Sequence, residues 1–219
     1  MLSHSEENYL KAIFHLRSNE GQAVSTTELS EHLNTKPSSV TDMLQRLSSN
    51  QWVDYRKYKG VILSQNGEQA ALKIIRKHRL WEVFLVEHLN FNWDEVHEVA
   101  EQLEHIQSDQ LTAALDRFLN FPKYDPHGDP IPDATLQLSK RTKKLLSNFK
   151  REKCGVCIGV KDSSADFLKV LDRLAISLGS AIQVIDIEEF DQSMWISVDG
   201  EQKYISTKIA SNLYLKPTT

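Results

Sequence analysis

The middle third of the 219-residue sequence places histidines and carboxylates one helical turn apart. Four of them have the spacing i, i+4, i+7 and i+8, which puts them on one face of a helix: His97, Glu101, Glu104 and His105. His78 and Glu82 repeat the i, i+4 spacing on the preceding segment, and the loop motif Asp125-Pro126-His127 adds two donors. This set predicts a divalent cation site without thiolates, which suits Mn(II) or Fe(II). The alternative is a set of solvated charges on helix faces.

The formal net charge of -4 is divided unevenly along the chain. Residues 1–80 contain 11 Lys and Arg against 8 Asp and Glu, whereas residues 81–130 contain 2 against 11. The basic first third favours a polyanionic partner. The acidic middle also contains four of the eight histidines, which again favours cations as ligands: His88, His97, His105 and His127.

The basic first third has the pattern of a winged helix. Apolar periodicity predicts helices over residues 6–17, 28–33 and 38–49, and short β-type runs at 52–55 and 61–64 surround a cationic tip. In a winged helix the third helix enters the major groove and the hairpin lies on the phosphate backbone. The alternative is an ordinary helical domain with a solvated charged loop.

The winged-helix prediction assigns specific residues to DNA. Pro37 opens the recognition helix, because a first helical turn tolerates proline. Hydroxyl groups near that end are predicted to reach phosphates or base edges: Ser38, Ser39 and Thr41. Cations on the same helix and on the wing are predicted to contact phosphates: Lys36, Arg46, Arg56, Lys57 and Lys59.

The rest of the chain predicts two further domains. Helices over residues 68–89 and 93–109, together with a stripe formed by Leu111, Leu115, Phe118 and Leu119, have more apolar surface than one winged helix needs. Pairing with a second copy would bury this surface, so we expect a homodimer. Short β-type runs after residue 155 and one helix over 166–178 predict a small SH3-like β-barrel. A CxxC motif at its start, Cys154 to Cys157, is predicted to be structural.

The predicted fold class is therefore mainly α with a small β content. The predicted boundaries are a winged-helix DNA-binding domain over 1–74, a helical metal-binding and dimerisation domain over 75–132, a linker over 133–150 and the SH3-like domain over 151–219. No apolar run approaches the roughly 20 residues of a membrane span, and no signal peptide is recognisable, so we expect a cytoplasmic protein without a membrane partner.

Two other functional classes stay open at this point. A winged-helix regulator that responds to a non-metal ligand or to a protein partner would have the same first domain. A metal-dependent hydrolase would use the same histidines and carboxylates around an activated water. The sequence has only 8 glycines, no glycine-rich phosphate loop and no nucleophile motif, so we predict that the chain is not an enzyme.

Three segments resemble the diphtheria-toxin-repressor and manganese-transport-regulator family: RKHRLWEVFL at 76–85, VHEVAEQLEHIQSD at 96–109 and FPKYDPHGDPIP at 121–132. The resemblance covers essentially the full chain and extends to the SH3-like domain of the long members. It implies a homodimeric repressor of metal-uptake genes that binds palindromic operators and is activated by Mn(II), with Fe(II) as the alternative.

The resemblance also implies two metal sites. The primary site falls on Asn8, Glu101, Glu104 and His105. The second site falls on His78, Glu82 and His97, or on the loop residues Asp125 and His127, with Asp162 or Asp166 as a further donor from the third domain.

This chain departs from the family pattern at several positions. Asn8 replaces an Asp or Met, and Lys11 replaces a Glu that short manganese-sensing members use in a closely spaced binuclear site. Asp125 replaces a Cys found in some long members. Glu101, in place of the Cys of the iron-sensing branch, favours manganese.

Overall fold

The computed structural model describes residues 2–17, 22–139 and 142–218. The chain divides into two compact units. The first comprises residues 1–78, 101–114 and 132–137, and the second comprises residues 79–100, 115–131 and 138–219.

The first unit contains the predicted winged helix. Its helices are α1 (His4–Leu16), α2 (Thr26–His32) and α3 (Pro37–Ser49). A serine is the N-cap residue of both helices: Ser3 caps α1 and Ser25 caps α2. Each serine forms a capping box with the glutamate three residues later. Val40, Leu44 and Leu47 share one face of α3 and are fully buried among apolar residues of α1 and α2. This packing leaves the opposite face of α3 in solvent.

The wing is a hairpin of β1 (Val53–Arg56) and β2 (Gly60–Leu63), paired antiparallel with Arg56 opposite Gly60. Gly60 has a φ of +92°, and a Cβ there would lie 2.6 Å from the carbonyl oxygen of Val24, so glycine is required. The turn between the two strands contains Lys57, Tyr58 and Lys59. All three are exposed, Tyr58 by 94%. The winged helix-turn-helix prediction is confirmed.

Three helices follow: α4 (Gln65–Leu89), α5 (Val96–Leu103) and α6 (Asp109–Phe118). The prediction of one helix over 93–109 is wrong, because α5 ends at Leu103 and Glu104 and His105 lie in the turn after it. In the second unit, Leu80 and Val83 of α4 pack with Leu115, Leu119 and Ile131 into one apolar cluster. Leu111 and Phe118 remain exposed, Phe118 by 61%.

The C-terminal part of the second unit is an antiparallel six-stranded sheet in the order β3-β8-β4-β5-β6-β7. Its elements are β3 (Lys144–Leu145), a 3-10 helix (Leu146–Asn148), β4 (Cys154–Val160), α7 (Ala165–Arg173), β5 (Ala181–Ile187), β6 (Met194–Val198), β7 (Glu201–Ile205), α8 (Thr207–Ala210) and β8 (Leu213–Thr218). The sheet and α7 enclose a core that includes Cys157. This is the predicted small β domain.

The predicted linker over 133–150 includes residues that belong to the sheet domain. Leu145 pairs with Tyr214 of β8, and Leu146 is fully buried in the core. Lys140 and Arg141, which fall in the same predicted linker, lie outside the described residues. No helix in the described part of the chain combines the length and the apolar character needed to cross a membrane.

Candidate metal centre

The first unit gathers three acidic or imidazole side chains around the ammonium of Lys11. Lys11 Nζ donates to Glu101 Oε1 and lies 2.7 and 2.8 Å from the two carboxylate oxygens of Glu104. His78 Nδ1 lies 2.6 Å from Glu104 Oε2 and 3.9 Å from Glu101 Oε1. The Glu104 side chain is fully buried, so its charge is compensated inside the protein. We name Lys11, His78, Glu101 and Glu104 the lysine cluster.

The pKa of Glu104 reflects two opposing causes. Burial by itself raises the pKa of this carboxyl group, because a charge loses its hydration there. The hydrogen bond with His78 and the charge of Lys11 act in the other direction and lower the pKa of Glu104 below its ordinary value. Glu104 is therefore an ionised carboxylate held in a buried place, which is the form that binds a metal.

His105 lies beside this cluster and is oriented by the first helix. Its Nδ1 is 2.6 Å from Glu7 Oε2, and its Nε2 is 3.8 Å from Glu104 Oε1. Gln107 Nε2 donates to the other oxygen of Glu7 at 2.7 Å, and the His4 ring stacks on His105 at 4.3 Å. In the tautomer whose Nδ1–H donates to Glu7, Nε2 carries the lone pair and faces Glu104. The sequence prediction did not include Glu7, whose only signal was its position beside Asn8 in α1.

Asn8 has a buried side-chain oxygen with no hydrogen-bond partner among the described residues. A buried, unsatisfied oxygen costs free energy, so its presence needs an explanation. Asn8 lies between Glu7 and Lys11 in the sequence of α1. Glu7 contacts His105, and Lys11 contacts both Glu101 and Glu104. An amide oxygen, two carboxylates and an imidazole nitrogen fit a divalent cation of the Mn(II) or Fe(II) type.

A second cluster lies within the second unit. Glu82, Asp125 and His127 are all buried, and each offers a ligand atom within 4.8 Å of the others. His127 Nε2 lies 2.8 Å from the carbonyl oxygen of Trp93, which makes Nε2 the N–H donor and leaves Nδ1 facing Glu82 Oε1 at 3.7 Å. We name Glu82, Asp125 and His127 the loop cluster.

Burial and charge shift both titratable loop residues strongly. Burial and the neighbouring Glu82 carboxylate raise the pKa of Asp125 to about 7, against the opposing charge of Arg79, whose Nε is 3.3 Å away. Burial lowers the pKa of His127, but Glu82 and Asp125 outweigh it and raise that pKa to about 9. Protons therefore occupy this cluster at neutral pH, where a metal ion would compete with them.

The sheet domain fixes the loop that carries Asp125 and His127. The backbone N–H of Val160 donates to the carbonyl oxygen of His127 at 3.0 Å. Gly128 has a φ of +86°, and a Cβ there would lie 2.1 Å from the carbonyl oxygen of Ile158. Trp93 Nε1 also donates to Asp172 of α7 at 2.9 Å. Strand β4 and helix α7 thus position the loop cluster.

The remaining predicted donors have contacts of their own. His78 contacts Glu104 of the lysine cluster. His97 lies 3.4 Å from Glu82 and is half exposed. Asp162 accepts from the N–H of Ser164 at 2.9 Å, and neither Asp162 nor Asp166 joins a group of three or more candidate ligands in the described ranges.

Most of the predicted DNA-binding residues are exposed on the winged helix. Lys36 is the N-cap residue of α3, and Pro37 is in its first turn. Ser38 and Ser39 follow in the same turn and are exposed. Thr41 donates to the carbonyl oxygen of Pro37 at 3.0 Å. Two predicted phosphate contacts also have internal partners: Arg46 Nε lies 3.0 Å from Glu6, and Arg56 Nη2 lies 3.0 Å from Asp54.

Comparison with protein-family models gives two adjacent matches. Residues 1–61 match "Iron dependent repressor, N-terminal DNA binding domain". Residues 64–133 match "Iron dependent repressor, metal binding and dimerisation domain". The residues of the lysine cluster and of the loop cluster all lie within these two matched segments.

Individual relatives agree with the family models. An uncharacterised HTH-type transcriptional regulator of Methanocaldococcus jannaschii is 37% identical over 118 residues, covering 54% of this chain and 94% of the relative. The HTH-type transcriptional regulator MntR of Oceanobacillus iheyensis is 32% identical over 121 residues, covering 55% of this chain and 81% of the relative. A solved manganese-dependent transcriptional repressor in complex with manganese is 32% identical, with a TM-score of 0.87 over 97% of this chain and 100% of that chain.

Proposed function

This chain belongs to the iron-dependent repressor family of metal-dependent transcriptional regulators, and from this premise we propose that Mn(II), with Fe(II) as the alternative, activates it to repress metal-uptake genes as a homodimer on palindromic DNA. The observation that carries the proposal is the buried oxygen of Asn8. It has no hydrogen-bond partner in the described ranges, and its neighbours on α1 contact Glu101, Glu104 and His105. Family membership also favours a regulator over a hydrolase, since both family models that match the chain are repressor domains.

Asn8, Glu101, Glu104 and His105 are the proposed activating site. Asn8 is part of α1 in the winged helix, whereas Glu101 is in α5 and the other two follow its end. A cation held by all four would fix α1 relative to residues 101–105. In a two-fold dimer this would set the separation of the recognition helices, for which DNA requires about 34–36 Å per helical turn. The effect is a shift of population towards the arrangement that binds metal better.

The loop cluster is the proposed second site. Glu82, Asp125 and His127 supply two carboxylates and one imidazole in a buried place, and His97 beside Glu82 is a fourth donor. Because residues of β4 and α7 contact the segment 125–131 and Trp93, metal bound at this site would reduce the motion of that segment relative to the sheet domain.

A second copy of the chain would bury the exposed apolar residues of the second unit. Phe118 remains exposed although its ring touches Phe84 and His88. Phe121 is 61% exposed as well. Leu115 and Leu119 from the predicted dimerisation stripe pack inside this chain, so the proposed contact surface of this unit is Phe118 and Phe121 with the partly exposed Phe84.

Removing cations from the wing should weaken binding to every DNA sequence by a similar factor. The double variant Lys57→Ala, Lys59→Ala is expected to lose about tenfold in affinity per lysine at 0.1 M salt, because each phosphate contact releases about one counterion. The slope of log affinity against log salt should fall by roughly two units, measured by fluorescence anisotropy. The variant Lys150→Ala, Lys208→Ala removes two exposed lysines of the sheet domain as a control. An unchanged salt slope would contradict the wing assignment.

Replacing Asn8 by Asp should tighten Mn(II) binding, because it exchanges a neutral oxygen for an anionic one of the same shape. We expect a gain in affinity of about tenfold or more, from the added attraction at a partly buried site. Titration of Mn(II) followed by the EPR signal of the free ion measures it. Asn66→Asp, at an exposed position of α4, is the matched control. Weaker binding by the Asn8 variant would mean that α1 does not reach the metal.

A further inference from the structure

The ammonium of Lys11 lies among the carboxylate oxygens of the proposed activating site. It contacts Glu101 and both carboxylate oxygens of Glu104. The Lys11 side chain is only 13% exposed, and Glu104 is fully buried. The chain thus supplies its own cation to a pair of carboxylates that would otherwise repel each other.

A divalent ion bound to the same oxygens would meet strong repulsion from this ammonium. Both oxygens of Glu104 are within 2.8 Å of Lys11 Nζ, so an ion coordinated by either oxygen would lie close to the lysine charge. Like charges at such a distance, in a site with little water, repel far more than they would in solution. Metal and ammonium therefore exclude each other around Glu104.

Asn8 and Lys11 are three residues apart on α1, which puts them on one face of the helix. Lys11 ties α1 to residues 101–104 through its ammonium, while the amide oxygen of Asn8 has no partner among the described residues. One turn of α1 therefore carries Lys11, which contacts residues 101–104 in the metal-free protein, and Asn8, which would bind the metal.

We propose that Lys11 is an internal competitor of the activating metal, and that metal binding exchanges a Lys11 tether on α1 for a metal tether through Asn8. This inference rests on the proposed function, since it concerns the same site. The lysine neutralises Glu101 and Glu104 when metal is scarce and lowers the apparent metal affinity. It thereby sets the metal concentration at which the repressor responds.

The variant Lys11→Met tests the competition, because methionine keeps an unbranched side chain and removes the charge. In chelator, the variant should unfold several degrees below wild type, since Glu104 loses a buried counter-charge. Its affinity for Mn(II) alone, measured by calorimetric titration, should rise by about tenfold or more. The two effects have opposite signs, which a residue with only a packing role would not produce.

Lys73→Met is the matched control, because Lys73 is exposed on α4 and carries the same charge. It should change neither the metal-free melting temperature nor the Mn(II) affinity. Lys11→Arg, which keeps the charge, should retain a low Mn(II) affinity. If Lys11→Met does not fold in chelator, Lys11→Gln replaces it in both measurements.

Unchanged or weaker Mn(II) binding by the neutral Lys11 variants would overturn the competition. This failure can be distinguished from failure of the proposed function by the variant Glu104→Gln. If that variant binds Mn(II) as wild type does, the activating site itself is wrong. If it loses an ion while the Lys11 variants gain no affinity, the site stands and only the competition is rejected.

Discussion

Replacing Glu104 by Gln should abolish the rise in DNA affinity that Mn(II) produces, while metal-free binding to DNA persists. Glu104 is fully buried and contacts both Lys11 and His78, so the substitution removes one charge at almost constant volume from the centre of the site. His105→Ala should have the same effect, since it removes the imidazole that Glu7 of α1 contacts. Allosteric coupling of this kind is typically worth about 5- to 150-fold in affinity, and we expect all of it to be lost.

The measurement uses wild-type protein purified in chelator and a duplex selected from a random-sequence pool in the presence of Mn(II). DNA affinity is then determined with and without Mn(II) for wild type, both variants and the control Glu87→Gln. Glu87 is an exposed glutamate of α4, far in sequence from the site residues. A normal Mn(II) response in both Glu104→Gln and His105→Ala would reject the metal-dependent mechanism and leave the winged helix unaffected.

The winged helix could be predicted from sequence because its determinants are local. Serine caps followed by glutamate begin α1 and α2, and proline occupies the first turn of α3. The spacing of Val40, Leu44 and Leu47 fixed which face of α3 is buried. Each signal lies within a few residues of the element that it specifies, so one sequence was enough.

The candidate site was predicted only in part, because its contacts are long-range. The prediction of one continuous face from His97 to His105 assumed a helix that in fact ends at Leu103. Glu104 and His105 are brought together with α1 by the turn instead. The pairing of Lys11 with Glu104 spans 93 residues, and no local periodicity in the sequence encodes it. The contact of His78 with Glu104 is likewise long-range in sequence, with the two positions 26 residues apart.

Residues at the end of the predicted linker enter the sheet domain for a related reason. Residues 133–150 are polar and contain no regular periodicity, which is typical of a linker. Leu145 and Leu146 nevertheless enter the sheet domain, because β8 at the far end of the chain provides a partner for β3 and a core for Leu146. A two-residue strand has too few residues for an alternating pattern to be visible.

The loop cluster should bind Mn(II) with a steep dependence on pH. Asp125 with a pKa of about 7 and His127 with a pKa of about 9 hold protons that a metal must displace. Between pH 6 and pH 8 the affinity should therefore rise roughly a thousandfold, with about two protons released per ion at pH 6 and about one at pH 8. Titration of the Glu104→Gln protein isolates this cluster from the activating site.

The metal-free protein should respond to pH in the opposite direction. Both pKa values are raised in the folded state, so the stability that these protons contribute is lost as pH rises, through Asp125 up to about pH 7 and through His127 up to about pH 9. The melting temperature in chelator should fall between pH 6 and pH 9, while the stabilisation by Mn(II) grows. In the control Glu104→Gln, His127→Ala the pH dependence of Mn(II) binding should be strongly reduced. A dependence in this control as steep as in Glu104→Gln alone would show that His127 supplies none of the displaced protons.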